Sequence, residues 1–381
     1  MNVLITTDLY TTDTNGVVTS VNNLREELSK RGHDVRILTL SENRHSHREG
    51  YVYYIRSMPI GVYPNVRMPL SYRHRLIKEL IEWEPDVIHS QCEFFTYQFA
   101  LRISRKTGAP IVHTYHTLYE HYVKYIIPSR RLGKVLVKIL SKRRLKKSEV
   151  LVAPTHKVED ALQRYGVHNE ISVVPTGIDL DQHYERLTPA ERREKRHRLG
   201  IEDEHSVLIS LGRLGEEKNI DELLELFAKS SQENDSLRFL IVGDGPAKES
   251  LENRAKELGI SDRVIFTGMV PPEKVQEYYQ LGDIFVSAST SETQGLTYIE
   301  AAANGLPLLC RQDDCLEDVI KQGENGFEYE DEDDFFECIH MIMQDPSWVD
   351  KAGKRSEEIA AGFDKQVFGD AIEKIYESIV G

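Results

Sequence analysis

Short apolar runs alternate with longer amphipathic stretches along the first half of the chain. Runs rich in apolar and β-branched residues predict strands, and stretches with apolar residues at helical spacing predict helices. The strand candidates are NVLITT, DVRILTL, DVIHSQ, APIVHTYHT and EVLVAPT, and the helix candidates are VVTSVNNLREELSKRG and SYRHRLIKELIEWEP. Because strands alternate with helices, this half predicts a parallel sheet covered by helices on both faces.

The alternation stops over residues 171–201, which are polar and rich in turn-forming residues. It then resumes, from SVLISLGR to CLEDVIKQG, as a second series of strand and helix candidates. A chain of 381 residues also exceeds the size that a single hydrophobic core usually supports. The sequence therefore predicts an α/β protein of two doubly wound domains facing across a cleft, an N-terminal one over residues 1–177 and a C-terminal one over residues 178–362.

Charge is distributed unevenly along the chain. The net charge is −14, yet residues 101–150 contain 13 Lys and Arg with only two acids, Glu120 and Glu149. That window carries +11, which leaves −25 for the rest of the chain. An acidic protein with one basic region indicates a local anionic partner and argues against general binding to nucleic acid.

Composition disfavours several other classes of protein. No stretch approaches the roughly 20 consecutive apolar residues that a membrane-spanning helix needs. The N-terminal MNVLITTDLY predicts a strand, so we expect no signal peptide. The cysteines are scattered, which predicts neither a disulfide framework nor a zinc site and fits a reducing cytoplasm. They are Cys92, Cys310, Cys315 and Cys338.

Candidate binding residues lie just after predicted strands, where open α/β sheets bind their ligands. The stretch GRLGEEKN follows the strand candidate SVLISL and offers Gly212, Arg213 and Lys218. Two cations beside a glycine-containing turn suit a diphosphate, because both pair with phosphate oxygens and free backbone N–H groups add donors. The alternative is a solvated turn in which Lys218 pairs with Glu216 or Glu217.

The stretch SETQGLTYIEAAANG is a second candidate, since it places Glu292 and Glu300 around a loop that opens a helix. Backbone N–H groups at a helix start bind anions, and carboxylates accept hydrogen bonds from sugar hydroxyls. Taken alone, the stretch is better explained as an ordinary helix start with a favourable first-turn acid. The loop residues between the two acids are Gln294, Gly295, Leu296 and Thr297.

Weaker candidates follow other strands. The glycines of VGDGP are better explained by a tight turn. The backbone of Met269 and Val270 offers a place for a planar base, and a strand end is an equally good explanation. Gly16 lies in a strand-to-helix loop of the first half, a turn that is expected to bring backbone N–H groups to the cleft.

Two further motifs have competing explanations. His113 and His116 end a strand of the first half, where His116 either hydrogen-bonds a hydroxyl of a ligand or is a buried structural histidine. The DLD of residues 179–181 formally matches a divalent-metal motif. Because it lies in a turn of the connection between the domains, we expect it to be structural and expect no metal site.

The basic segment SRRLGKVLVKILSKRRLKKSE predicts an amphipathic helix. Such a helix is typical of contact with an anionic membrane surface, at about 1 kcal/mol per cation near the surface. The alternative is that its apolar stripe packs on the domain and its cations are solvated. The stripe is Leu132, Val135, Leu136, Ile139 and Leu140, and the cations opposite it are Arg130, Arg131, Lys134, Lys138 and Lys142. Upstream, Tyr119 and Glu120 are candidates for the lining of an acceptor channel.

Taken together, these motifs resemble the retaining glycosyltransferases of family 4, which have the GT-B fold. The ordered segments are NGVVTSV, HTYHT, PTGID, GRLGEEKN, VGDGP, FTGMV and SETQGLTYIEA, and they span nearly the whole chain. The resemblance implies that Arg213 and Lys218 hold the donor diphosphate. It implies that Glu300 binds the ribose hydroxyls and that Glu292 lies beside the donor sugar.

The same resemblance implies further roles. The amides of residues 294–297 would meet sugar and phosphate, and the backbone of residues 269–270 would meet the base. Gly16 would lie near the donor phosphate and His116 near the sugar. The resemblance also implies that no catalytic metal is needed and that the C-terminal helix, residues 363–381, returns to the first domain.

The acceptor is suggested by a narrower resemblance. The stretches IHSQCEFFTYQFA, VHTYHTLYEHYVKYIIPSRR and RQDDCLEDVI are similar to bacterial diacylglycerol α-glucosyltransferases. This implies a peripheral enzyme on the inner face of the cell membrane that transfers glucose from UDP-glucose to a lipid and requires no cofactor. Two alternatives stay open, a transferase of the same fold with a soluble acceptor and a non-catalytic module that binds a nucleotide sugar.

Overall fold

The computed structural model describes residues 1–10, 15–60, 66–118, 138–139, 141–183 and 185–380. The chain forms two compact units. One comprises Met1–Ile178 with Lys365–Gly381, and the other comprises Asp179–Asp364. The corresponding boundaries predicted from the sequence are 177/178 and 362/363.

Nine strands among the described residues form the sheet of the first unit. Their order is β3-β4-β2-β1-β6-β7-β8-β9, with β5 paired to β4. The pairs between β4 and β9 are parallel, whereas β3 and β5 run antiparallel to β4. The strands are β1 (Asn2–Thr6), β2 (Asp34–Ser41), β3 (His47–Glu49), β4 (Val52–Pro59), β5 (Arg67–Pro69), β6 (Val87–Ser90), β7 (Ile111–Thr114), β8 (Val150–Ala153) and β9 (Glu170–Val173).

Helices pack on both faces of this sheet. The helices of the described part of this unit are α1 (Gly16–Lys30), α2 (Arg75–Glu82), α3 (Phe95–Thr107), α4 (His156–Arg164) and the C-terminal helix, Lys365–Val380. The C-terminal helix packs against α1, with Phe368, Ile372 and Tyr376 buried in the same cluster as Val21 and Leu24 of α1. A Cβ atom on Gly369 would lie 2.8 Å from the Cβ of Glu27, so the absence of a side chain there permits the close approach of the two helices.

The second unit has a six-stranded sheet in the order β12-β11-β10-β13-β14-β15. All its strand pairs are parallel, and the order is that of the doubly wound dinucleotide-binding fold. The strands are β10 (Ser206–Leu211), β11 (Leu237–Val242), β12 (Val264–Gly268), β13 (Ile284–Ser287), β14 (Leu308–Arg311) and β15 (Gly326–Tyr329). The α-helices of its described part are α5 (Leu180–His183), α6 (Pro189–Arg198), α7 (Ile220–Glu233), α8 (Lys248–Glu257), α9 (Val275–Tyr279), α10 (Leu296–Ala303), α11 (Glu332–Gln344) and α12 (Pro346–Ala360). The C-terminal helix of the first unit, Lys365–Val380, is α13.

The structure contains regular elements that the apolar pattern did not predict. The polar stretch over residues 171–201 contains most of β9 together with α5 and α6. β9 lies at the edge of its sheet and none of its residues is fully buried, so it carries little apolar signal. The last stretch of the second predicted series, CLEDVIKQG, forms no α-helix, because only its first two residues are helical, at the end of the 3-10 turn Asp314–Leu316.

Candidate active site

The second sheet changes direction between β10 and β13, which are neighbours although two strands separate them in sequence. Doubly wound sheets bind ligands in the crevice beyond the carboxyl ends of the strands at such a switch point. The loop after β10 carries Arg213 and Lys218, and the loop after β13 carries Glu292. These side chains, together with Ser287 and Thr297, line a small cavity at this position.

The loop after β10 is held by close packing against the loop after β11. The N–H of Leu214 donates to the carbonyl of Asp244 at 2.9 Å, and the N–H of Ala247 donates back to the carbonyl of Leu214 at 2.9 Å. A Cβ atom on Gly243 would lie 1.9 Å from the carbonyl oxygen of Gly212. The glycines of VGDGP therefore permit this backbone contact, which fixes the start of the loop that carries Arg213.

Each of the two cations is ion-paired with a glutamate. Arg213 pairs with Glu217 of its own loop, and Lys218 pairs with Glu292 across the switch point. The alternative in which Lys218 pairs with Glu216 or Glu217 is therefore wrong. Glu292 also accepts a hydrogen bond from the hydroxyl of Ser289 at 2.9 Å.

The loops after β10 and β13 are also joined through Asn219. This residue has a left-handed backbone, with φ of 51°, a conformation that asparagine tolerates better than most residues. Its side-chain amide donates to the carbonyl of Ala288 at 3.0 Å. The left-handed turn starts α7 directly after Lys218 and so sets where the lysine leaves the backbone.

The loop from Gln294 to Thr297 turns into helix α10. Gly295 has a φ of +73°, and a Cβ atom there would lie 2.3 Å from the ring of Tyr298, so both the backbone and the space require glycine. Leu296 and Thr297 occupy the first turn of α10, where backbone N–H groups have no acceptor within the helix. These N–H groups are donors for an anionic ligand.

Glu300 lies one turn further along α10 and is only partly exposed. Its Oε2 accepts a hydrogen bond from the hydroxyl of Tyr279 at 2.8 Å. Desolvation raises the pKa of the Glu300 carboxyl to about 7, while the hydrogen bond from Tyr279 opposes that shift. Small changes of pH near neutrality therefore change the charge at this position.

Met269 and Val270 follow β12, at the same carboxyl edge of the second sheet. The side chain of Met269 is 81% exposed. That the backbone of Met269 and Val270 contacts the planar base of a nucleotide stays a prediction.

The first unit has its own switch point, between β1 and β6. Helix α1 begins there at Gly16, and the side chain of Asn15 accepts from the N–H of Val17 to cap it. Asp8, which follows β1, accepts hydrogen bonds from the backbone N–H groups of Phe95 and Thr96 at the start of α3. Asp8 thus serves as a helix cap at this edge.

His116 makes a short hydrogen bond with a buried glutamine. Its Nε2 lies 2.6 Å from Oε1 of Gln91, so Nε2 is the donor. Burial, with a smaller contribution from His113, lowers the pKa of His116 to about 3. His116 is therefore neutral near pH 7 and suits hydrogen bonding to a hydroxyl. His113 is fully buried beside Glu93, at 3.3 Å.

Most of the predicted acceptor and membrane residues, namely Tyr119, Glu120, Arg130, Arg131 and Lys134, lie outside the described residues. Lys138 and Lys142 are described, and both are exposed. Ile139 of the predicted apolar stripe is 48% exposed, whereas Leu145 is fully buried. At its described end the basic segment thus buries Leu145 and leaves one apolar side chain of the stripe in solvent.

Asp179 of the DLD motif directly precedes α5, and the other two residues of the motif begin that helix. Asp179 accepts a hydrogen bond from the side-chain amide of Gln182 at 3.0 Å. Within the described ranges, no group of three or more His, Cys, Asp or Glu is arranged to hold a metal ion. Across those same ranges, no helix combines the length and apolar character needed to cross a bilayer.

Sequence reasoning missed three residues that organise this site. Tyr279, Glu217 and Ser289 contact the predicted ligand-binding residues but were assigned no role. Glu217 was considered only as a partner for Lys218. Tyr279 is the last residue of a five-residue helix, and no local pattern distinguishes its hydroxyl from that of any core tyrosine.

Comparison with known proteins identifies two family models in succession. Residues 14–182 match Glycosyltransferase Family 4 and residues 191–359 match Glycosyl transferases group 1. The chain is 36% identical over 342 residues to the alpha-monoglucosyldiacylglycerol synthase of Streptococcus pneumoniae, covering 89% of this chain and 77% of the relative. It is 29% identical to the alpha-monoglucosyldiacylglycerol synthase of Acholeplasma laidlawii, covering 100% of this chain and 98% of the relative.

Among solved structures, the chain is similar to Anabaena Alr3699/HepE in complex with UDP and glucose. The TM-score is 0.78 at 16% identity, with complete coverage of both chains. At that identity the likeness concerns the fold. The predicted GT-B architecture of two Rossmann-like parallel-sheet units is confirmed.

Proposed function

The chain belongs to glycosyltransferase family 4, and we propose that it moves a hexose from a UDP-hexose to a lipid hydroxyl. The donor we expect is UDP-glucose and the acceptor 1,2-diacylglycerol, joined in an α-glycosidic bond with retention of configuration. The observation that carries the proposal is the 36% identity to an alpha-monoglucosyldiacylglycerol synthase over 89% of this chain. The site at the switch point of the second sheet supports it.

We assign the donor diphosphate to Arg213 and Lys218. Both cations line the cavity beyond β10. The N–H groups in the first turn of α10 lie at the same edge of the second sheet, where its strands end. When the bond between the anomeric carbon and the diphosphate oxygen breaks, the electron pair leaves with UDP. Positive side chains and fixed N–H dipoles stabilise that developing charge, which is usually the largest catalytic contribution.

The acceptor hydroxyl then attacks the anomeric carbon from the face that the diphosphate leaves, which retains the configuration. Its proton passes to an oxygen of the departing phosphate, so charge and atoms balance without a metal or an additional base. Glu292 is engaged with Lys218 and Ser289, an arrangement suited to positioning the sugar. We do not assign it as a covalent nucleophile.

The remaining donor contacts follow the family resemblance. We assign Glu300 to the ribose hydroxyls, the loop Gln294–Thr297 to sugar and phosphate, and the backbone of Met269–Val270 to the base. From the first unit, we assign Gly16 to the donor phosphate and His116 to the sugar.

We further propose that the protein acts as a peripheral enzyme on the inner face of the cell membrane. Lys138 and Lys142 are exposed and Ile139 is 48% exposed. Exposed cations beside an exposed apolar side chain are typical of contact with anionic lipid. Tyr119 and Glu120, upstream of this segment, are assigned to the acceptor.

One incubation series tests the reaction. The protein is incubated with UDP-glucose, UDP-galactose, UDP-N-acetylglucosamine or GDP-mannose, each with diacylglycerol vesicles or with inositol phosphate. We expect a monohexosyl diacylglycerol from UDP-glucose, with an α-anomeric proton by NMR. A product only with inositol phosphate would replace the lipid acceptor by a soluble one. Nucleotide binding without any product would indicate a non-catalytic module that binds a nucleotide sugar.

A further inference from the structure

A buried tyrosine hydroxyl holds one oxygen of the carboxylate assigned to the ribose. Tyr279 is fully buried, and its hydroxyl lies 2.8 Å from Oε2 of Glu300 and 3.4 Å from the carbonyl oxygen of Thr297. Its ring packs against Phe285 of β13, with ring centroids 6.1 Å apart. The hydroxyl is therefore fixed by the core and directed at the first turns of α10.

The two oxygens of Glu300 have different surroundings. Oε2 is tied to Tyr279, whereas Oε1 accepts no hydrogen bond from any residue that the structure describes. A glutamate side chain has three rotatable bonds, and holding one in place has an entropic cost of order 1 kcal/mol or more. Because the hydrogen bond to Oε2 orders the side chain when the protein folds, that entropy is not lost again on binding. Oε1 is then in position to accept a hydrogen bond from a ligand.

When Glu300 is ionised, the direction of this hydrogen bond is fixed, because the carboxylate then has no proton to donate. Burial and the neighbouring carboxylate raise the pKa of Tyr279 well above its usual value, so the phenol stays protonated and donates. A hydrogen bond that favours the ionised carboxylate opposes the desolvation that raises the pKa of Glu300 to about 7. Removing the hydroxyl should therefore raise the pKa of Glu300 further.

We propose that Tyr279 is a positioning residue for nucleotide recognition, which orients the Glu300 carboxylate through Oε2 so that Oε1 accepts from the ribose hydroxyls. The inference rests on the proposed function, because it takes the ligand to be a ribonucleoside diphosphate. It adds a residue that acts through Glu300 and that itself touches no substrate.

The test is calorimetric binding of UDP at several values of pH between 5.5 and 8.5. Tyr279→Phe retains the ring and removes the hydroxyl. We expect it to weaken UDP binding about tenfold at pH 7, as expected for loss of a hydrogen bond to a charged group. We also expect the pH midpoint of binding to move to a higher value than in the unsubstituted protein.

A matched control is available in the same unit. Tyr329 is also fully buried, and its hydroxyl donates to a carboxylate, Oε1 of Glu222, at 3.2 Å. Tyr329→Phe likewise removes a tyrosine hydroxyl that donates to a carboxylate, but to one other than Glu300. We expect it to leave both the dissociation constant for UDP and its pH midpoint unchanged.

A double substitution separates positioning from simple destabilisation. If Tyr279 acts through Glu300, Tyr279→Phe with Glu300→Gln should bind UDP no more weakly than Glu300→Gln alone. An additive loss, or an unchanged pH midpoint in Tyr279→Phe, would overturn the inference. An unsubstituted protein that binds none of UDP, GDP and ADP would overturn both this inference and the proposed function. UDP binding without transfer to diacylglycerol would overturn the proposed reaction alone.

Discussion

The ammonium group of Lys218 forms an ion pair with the carboxylate of Glu292, 74 residues further along the chain. The pair joins the loop after β10 to the loop after β13, the two strands that flank the switch point of the second sheet. A cation assigned to the diphosphate is thus held in place by an acid assigned to the sugar.

Loss of this lysine should abolish most turnover. Lys218→Ala removes one cation from the diphosphate and leaves Glu292 with an uncompensated charge, so we expect kcat to fall by roughly 10²-fold or more. Lys229→Ala is the control, since Lys229 is exposed and pairs with Glu332 on the surface of the same unit. Initial rates with UDP-hexose measure both variants, and full turnover in Lys218→Ala would refute the assignment.

We expect the carboxylate of Glu300 to lower the stability of the folded protein and to strengthen its binding of UDP. Its pKa of about 7 in the folded chain lies above its ordinary value, so the native state holds a proton that the unfolded chain loses at lower pH. Stability without ligand should therefore decline as pH rises between those two values. We expect Glu300→Gln to raise the melting temperature at pH 7.5 and to weaken UDP binding, while also flattening its pH dependence.

Calorimetry and UDP titration at pH 5.5 and pH 7.5 measure both effects. If Glu300→Gln melts at a lower temperature than the unsubstituted protein at pH 7.5, the carboxylate is stabilising and the proposed trade-off is wrong.

We expect Gly243 to be essential to the conformation of the loop after β10, which carries Arg213 and Lys218. Its φ is +135°, and an added Cβ would lie 1.9 Å from the carbonyl oxygen of Gly212, so Gly243→Ala must displace the loop that carries Arg213. Gly259 also has a positive φ, of +72°, but open space around it. Alanine at a left-handed position without a clash costs about 1–2 kcal/mol, and each kcal/mol corresponds to about 2–4 °C in melting temperature.

We expect Gly243→Ala to lower the melting temperature by more than Gly259→Ala does, and to weaken UDP binding, which Gly259→Ala should leave intact. Scanning calorimetry and UDP titration on the two variants make the comparison. Equal losses of melting temperature would show that the contact with Gly212 contributes nothing beyond backbone strain.

Charge reversal in the basic segment should release the protein from membranes. Lys138→Glu with Lys142→Glu changes the charge of two exposed positions, and each cation near an anionic surface contributes about 1 kcal/mol. We expect vesicle binding to fall by at least tenfold in sedimentation with anionic lipid. Lys351→Glu with Lys354→Glu makes the same change of charge on the exposed side of α12 and should leave binding unchanged.

The vesicle-binding experiment also distinguishes a lipid acceptor from a soluble one. Loss of vesicle binding together with loss of lipid product would support a lipid acceptor taken from the membrane. If no binding occurs at moderate salt even before substitution, a transferase with a soluble acceptor becomes the better explanation.

Much of the architecture follows from local pattern. Alternating apolar runs and amphipathic stretches predicted two parallel sheets, and strands such as β1 and β10 were found where the runs lie. The antiparallel strand β3 and the edge strand β9 were missed, because partly exposed strands have weak apolar patterns. The candidate residues were found because parallel sheets bring the ends of their strands to one edge, so chemistry that follows a strand is placed by the fold class itself.

The sequence by itself determined the two sheets and placed Arg213, Lys218, Glu292 and Glu300 in the loops and early helical turns that follow strands. Only the tertiary structure decided the partners, since Lys218 pairs with Glu292 and Tyr279 holds Glu300 from 21 residues away. The reason is physical. Periodicity records which face of an element is buried, but the distance between side chains on different elements depends on strand order and loop packing, which no local pattern encodes.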